Sequence, residues 1–258
     1  MLSTAQSIAA VVTVVAFVVA TLLLVYRIRG QRSSPMPSDG VAWHVSLVGT
    51  TYAVITAFML SGVWANFQAA ETNAAQEAIA LVNLFRVADG IPSPQREQIQ
   101  TDCRDYANIA VAEEWPAMAH DSLSPAGVRI TQQLWTTLLR TEAHSPTEQI
   151  SLAQSLESLG RMTEHRRIRQ LQSRSRLPTI LWAILLAGGI ATIGASCTFE
   201  SRSLRLHALQ VATLAVLISL VLAAIADIDR PFQGAVHVSA DGFRFARATF
   251  DGVMSVPR

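Results

Sequence analysis

The sequence predicts an all-α membrane protein: four transmembrane helices, with a cytosolic helical bundle inserted between the second and the third. Three observations predict it. Half of the 258 residues are apolar and only 15% are charged, where an ordinary soluble domain has about a quarter. Apolar runs long enough to cross roughly 30 Å of hydrocarbon, about 20 residues, occur four times. Between the second and third of these lie 113 residues, 65–177, that are polar and carry apolar positions at helical spacing. A net charge of +1 on a greasy chain excludes disorder and argues against a nucleic-acid partner. The two cysteines, Cys103 and Cys197, build no disulfide framework and lack metal-ligand spacing.

The first span runs from Ile8 to Tyr26, a run of Ala, Val, Leu and Phe interrupted only by Thr13 and Thr21 before it ends on Tyr26. No basic residue precedes it and no small-residue cleavage site follows, so it is expected to be a retained helix and not a signal peptide. The second runs from Trp43 to Trp64, bracketed by those two aromatics at interfacial positions. It is more polar than the first, carrying His44, Ser46, Thr50, Thr51, Thr56 and Ser61. The third, 178–197, opens on Pro178, which suits a first helical turn. The fourth, 207–226, is stopped by Asp227, Asp229, Arg230 and Pro231. The segments are therefore 1–40, 41–64, 65–177, 178–226 and a tail, 227–258.

Within the insert, Ser93-Pro94, Ser124-Pro125 and Ser145-Pro146 read as N-caps followed by a first-turn proline. Four helices are expected, near 65–89, 94–120, 125–142 and 146–176. Pro116 should kink or end the second of them. In the tail, residues 234–239 alternate enough to suggest one short strand.

Arginines near the span ends set the orientation. With the N-terminus inside, Arg161, Arg166, Arg167, Arg169, Arg174, Arg176, Arg230 and Arg244 are inside, against Arg27, Arg29, Arg32, Arg202 and Arg205 outside. Eight against five places the insert and both termini in the cytoplasm.

On a helical wheel His44, Leu47, Thr51, Ile55, Phe58 and Gly62 share one stripe of the second span. A mixed apolar and small-polar stripe suits the wall of a water-filled path, since lipid cannot satisfy polar groups. The plainer alternative is that the hydroxyls bond to backbone carbonyls or neighbouring helices. Ala187, Ala191 and Ala195, with Gly188, Thr192 and Ser196, give the third span a close-packing face. The arginines from Arg161 to Arg176 either attract anions or anionic headgroups, or are a topology signal on a solvated helix. Enzyme chemistry finds little footing. The acid–histidine neighbours His120-Asp121, Glu142 with His144, and Glu164-His165 lack the spacing that puts metal ligands on one helix face. Glu113 and Glu114 point about 100° apart on a helix. No phosphate loop or nucleophile elbow occurs, and neither metal nor cofactor is expected.

Four features in order give the chain a family resemblance. The Trp64-terminated second span runs into a helix with Glu71 and Glu77-Ala78. Glu114-Trp115-Pro116 follows in the insert, then Leu177-Pro178 with Trp182, and last Asp229-Arg230-Pro231-Phe232-x-Gly234 behind the fourth span. Over roughly 41–250 this resembles the bacterial bestrophin-like membrane family, distantly similar to the bestrophins. Bestrophins are pentameric anion channels with four membrane helices per subunit, a pore-lining second helix with an apolar neck, and a Pro-Phe-Gly segment after the last span. The resemblance implies a homo-oligomer, pentameric by analogy, in a bacterial plasma membrane, passing inorganic anions. Counted back from Trp64, the neck falls at Leu47, Thr51 and Ile55, with His44 near one mouth. The resemblance leaves Glu114, Trp115, Pro116, Asp229, Arg230, Pro231, Phe232 and Gly234 as structural motifs, the last segment anchoring the tail. No acidic run follows it, so no calcium clasp is implied. A non-conducting scaffold or sensor, whose insert binds a protein partner, is the alternative from a different class.

Overall fold

The computed structural model describes residues 20, 38–122, 124–197 and 204–254. The first span expected at 8–26 lies outside the described residues. Eight α-helices are described: α1 Ser38–Val87, α2 Gln95–Ile109, α3 Trp115–Ala119, α4 Pro125–Leu139, α5 Pro146–Gln172, α6 Thr179–Ser196, α7 Leu204–Ile228 and α8 Asp241–Met254. Among the described residues there is no strand, and the alternating tail at 234–239 forms bends and irregular chain. Three described helices are long and apolar enough to cross a membrane: the helix from Ala42, then Thr179–Ser196 and Arg205–Ile228.

The expected second span and the first helix of the insert are one 50-residue helix, α1. No proline interrupts it and no glycine lies beyond Gly62, so nothing in the sequence stops it before Val87. The chain divides into two units, one of 1–65 with 176–229 and one of 66–175 with 230–258.

In the first unit Val63 of α1, Leu185 of α6 and Ile225 of α7 are buried together. Met59, Leu60, Trp182, Val221 and Leu222 pack round them. The backbone N–H of Leu177 donates to Asp229 Oδ1 at 2.8 Å, which pins the start of α6 to the end of α7. The fourth helix runs through Asp227 to Ile228. A carboxylate does not break a helix by itself, and Pro231 is the residue that forbids continuation.

In the second unit Leu81, Leu84, Phe85, Ile99, Tyr106, Leu134, Leu138, Leu159, Met162, Phe243 and Phe250 form the core. Two helix starts follow the serine–proline pattern. Ser124 accepts from the Ala126 N–H, and Ser145 accepts from the Glu148 N–H while the Glu148 carboxylate accepts from the Ser145 N–H. The third does not: Pro94 is itself the cap and α2 begins at Gln95, because the Ser93 hydroxyl donates to Glu97 instead of accepting from the backbone.

Between α2 and α3 the chain makes a π turn, Ala110–Glu114. Pro116 has no N–H and its ring would crowd the carbonyl four residues back, a conflict that a wider turn relieves. That turn also serves packing. Tyr106, Ala110, Glu114 and Met118 are all buried at intervals of four, a spacing that drifts roughly 40° per step in a regular helix. The wider turn takes up the drift, so the chain stays helical through Pro116 and stops at Ala119.

Candidate functional site

Two constellations carry the chemistry, one in each unit. The first is the outer stripe of α1. His44, Leu47, Thr51, Phe58 and Gly62 are exposed and Ile55 is half-buried, whereas Tyr52, Thr56 and Val63 are buried. At about 100° per residue the two sets lie roughly a third of a turn apart. Ser46, Thr50, Val54, Ala57 and Ser61 are exposed as well, so the stripe is one edge of a wider face that α6 and α7 leave uncovered. Phe58 on it is a large apolar side chain that is 71% exposed.

The packed face is held by a small-residue notch. A Cβ on Gly188 would sit 2.5 Å from the Tyr52 ring, so only glycine admits that ring against α6. Of the small residues expected to pack, Gly188 and Thr192 face inward, while Ala187 and Ala191 are exposed. The Thr192 hydroxyl donates to the Gly188 carbonyl, within its own helix. Tyr52 and Thr56, one turn apart, are close enough to interact, yet neither hydroxyl has a partner in hydrogen-bond geometry.

The second constellation is ionic and buried. Arg169 of α5 donates from Nε to Glu77 Oε2 at 2.6 Å and from Nη2 to Glu77 Oε1 at 2.8 Å. The same Nη2 reaches Glu114 Oε2 at 2.5 Å. Arg166 donates to Glu114 Oε1 from Nε at 3.0 Å and Nη2 at 2.6 Å, and Tyr106 donates its hydroxyl to Glu77 Oε1. Two carboxylates and two guanidiniums thus cancel in the interior, with Arg169 fully buried and stacked 4.7 Å over the Trp115 ring. Burial alone would raise the Glu114 carboxyl, but Arg169 and Arg166 reverse the sign and hold it below the usual range. Burial likewise opposes the Arg169 charge, and Glu77 and Glu114 more than restore it. The Tyr106 phenol is pushed up by burial, then by the same two carboxylates. Gly127 touches this cluster so closely that a Cβ there would run into the Glu114 carboxylate and Arg166.

The expectation of a solvated arginine run is thereby corrected for Arg166 and Arg169. Ser155, Leu159, Met162, Arg166 and Arg169 are the buried positions of α5, and Ser173 just beyond it continues the same alternation by four and three. The two arginines occupy core positions of that pattern, and this phase is the signal in the sequence that marks them. Tyr106 carried no such mark.

Glu113 and Glu114 diverge as their adjacency requires: Glu113 is exposed and accepts from the Ser124 hydroxyl, while Glu114 is buried. The Glu114-Trp115-Pro116 motif thus supplies an ion-pair acid, a ring and the proline that follows the π turn. Trp115 stacks edge-on against Phe232 at 5.9 Å and Phe243 at 5.4 Å, and its Nε1 donates to the Val238 carbonyl at 2.9 Å. Pro231, Phe232 and Gln233 are buried, with Gln233 Nε2 donating to the Met118 carbonyl. Gly234 takes φ of 88°, which a side chain resists. Arg230 is exposed, and Asp229 serves the α6–α7 pin already described. Among the acid–histidine neighbours, His165 is gripped by Asn73: ring Nδ1 meets Oδ1 at 2.8 Å, and Asn73 Nδ2 donates to the His165 carbonyl. Among the described residues no group of three or more His, Cys, Asp or Glu is placed to hold a metal ion.

A helical membrane protein whose longest helix joins a spanning segment to a charge-clamped helical core is the class defined so far. The chain belongs to the bestrophin-like family: the family model described as Bestrophin-like domain matches residues 11–243. Two crystal structures, each described as that of a membrane protein, share the fold. The one carrying a proline-to-alanine substitution superposes with a TM-score of 0.72 at 12% identity, covering 97% of this chain and 99% of the other. The one carrying a leucine-to-alanine substitution gives 0.67 at 14% identity, with the same coverage. No curated protein matches the chain.

Proposed function

We propose that the protein is an oligomeric anion channel in which the second span, the N-terminal part of α1, lines the pore. The observation that carries this reading is the uncovered stripe of α1. His44, Leu47, Thr51 and Phe58 are exposed in one protomer, while the adjoining face is locked onto α6 and α7. Copies of the chain arranged round an axis, five by analogy with bestrophins, turn those stripes toward one another. Leu47, Thr51 and Ile55 then form the constriction and His44 stands near its mouth. An apolar neck gates by dewetting and favours weakly hydrated inorganic anions, and the Thr51 hydroxyl makes this neck leakier than a wholly aliphatic one. In this reading the insert and termini face the cytoplasm of a bacterial cell, on the arginine asymmetry, and the protein has no catalytic role.

The test is a substitution that narrows the neck without touching the fold. Thr51→Phe lowers chloride flux severalfold, whereas Leu217→Phe, on an exposed face of α7, leaves it unchanged. Equal flux in both variants removes this face from the pore. The scaffold alternative draws on exposed Leu139, Leu171 and Phe245 in the second unit, and an absence of flux in a well-folded oligomer would favour it.

A further inference from the structure

We infer that the hydroxyls of Tyr52 and Thr56 form a binding site for one water molecule inside the membrane-spanning unit, against the Gly188–Gly189 face of α6. Tyr52 lies at the middle of the apolar stretch 42–64, a depth at which hydrocarbon offers a hydroxyl nothing to bond. Both side chains are more than nine-tenths buried, Tyr52 8% and Thr56 7% exposed. They stand one turn apart on α1 and close enough to interact, yet neither hydroxyl has a hydrogen-bond partner among the described residues. Other hydroxyls of the spans satisfy themselves: those of Thr192, Ser196 and Thr213 each donate to the carbonyl four residues back. Thr56 makes no such bond.

Glycine leaves the room. A Cβ on Gly189 would lie 3.2 Å from the Tyr52 hydroxyl oxygen and 3.2 Å from Ile218 Cγ2, so the hydroxyl is aimed at a place that any larger residue would narrow. The neighbouring Gly188 carbonyl is taken, since it accepts from its own helix and from the Thr192 hydroxyl. What fits there must bring both a donor and an acceptor. It must also be neutral, because 42–64, 179–196 and 206–226 hold no Asp, Glu, Lys or Arg, and an ion buried among them has no countercharge. Water meets both conditions, accepting from one hydroxyl and donating to the other, and buried waters gather where a few polar groups lack partners.

The experiment is thermal unfolding of the full chain in detergent, joined to a crystal structure sharp enough to show ordered water. Removing one hydroxyl strands the other, so Y52F and T56V each lower the unfolding midpoint by about 3 °C. The double variant falls no further than the worse of the two. Density within about 3 Å of both hydroxyl oxygens marks the water. Exchanging chloride for gluconate moves the midpoint equally in the natural protein and in Y52F. A midpoint that holds or rises in Y52F, where the hydroxyls are merely unpaired, would overturn the site. So would losses that add, a direct Tyr52–Thr56 bond with no density beside it, or a chloride dependence that Y52F abolishes, the mark of an anion.

Discussion

Arg169 and Glu77, 92 residues apart in sequence, close a bidentate pair in which neither side chain is exposed. The pair fastens α5 to α1, the helix whose other end presents the proposed pore face. Removing one partner leaves a charge in the interior, which costs about 3–5 kcal/mol. Glu77→Ala and Arg169→Met should each lower the unfolding midpoint steeply in detergent. The combined Glu77→Ala, Arg169→Met protein should be less affected than the sum of the two losses, and a strictly additive result would show the pair is not coupled.

Two carboxylates give stability opposite pH limbs. Asp102, 1% exposed, is pushed by burial from 3.8 to about 6, although Gln98 and Gln133 donate to its Oδ1. Between those values the unfolded chain has released a proton the folded chain keeps, so stability falls as pH rises through that window and is level above it. Glu114 lies below its ordinary 4.5, so its contribution is present above that value and is lost on further acidification. Asp102→Asn should remove the first limb, raising stability at pH 7–8 by roughly 1–2 kcal/mol and leaving the acid limb in place. Chemical denaturation at pH 4, 5, 6 and 7.5 checks both signs.

Helix propensity alone makes Gly127→Ala stabilising by roughly 0.5–1 kcal/mol. Contact with Glu114 and Arg166 opposes this, and overpacking costs typically about 1–3 kcal/mol. Packing wins, so the variant should unfold at a lower temperature than the natural chain, and a rise in midpoint would contradict the account.

Phe232 holds the segment after α7 to the Trp115 ring, 4% exposed. Phe232→Ala should cost about 3–5 kcal/mol and free the Trp115 indole, read as a red shift in tryptophan emission and faster proteolysis within 230–254.

Much of the helical plan is legible in the sequence, because apolar run length and serine–proline starts report local physics. The starts at Pro125 and Pro146 and the spans near 178–197 and 207–226 follow from that. The continuity of α1 through Trp64 is harder to see, since a change from apolar to polar composition looks like a boundary while the helix itself does not break. The tail at 234–239 misleads in the same way: its alternation is short, and with no strand among the described residues to pair with, it stays irregular. In the ionic core Glu114 stands out through its Trp-Pro neighbours. Its partners Arg166 and Arg169 look like surface charge until the four–three spacing of α5 is followed from Leu159 to Ser173. Glu77 and Tyr106 depend on contacts across 92 and 29 residues, which no local pattern encodes.

The central claim, that this chain forms an anion-conducting oligomer lined by α1, is tested most directly by chloride and potassium flux in proteoliposomes, using purified protein of measured oligomeric mass. The account predicts a multimer that passes chloride well above potassium, with flux falling severalfold in Thr51→Phe. A folded multimer that passes neither ion, or a chloride flux indifferent to Thr51→Phe, would contradict it.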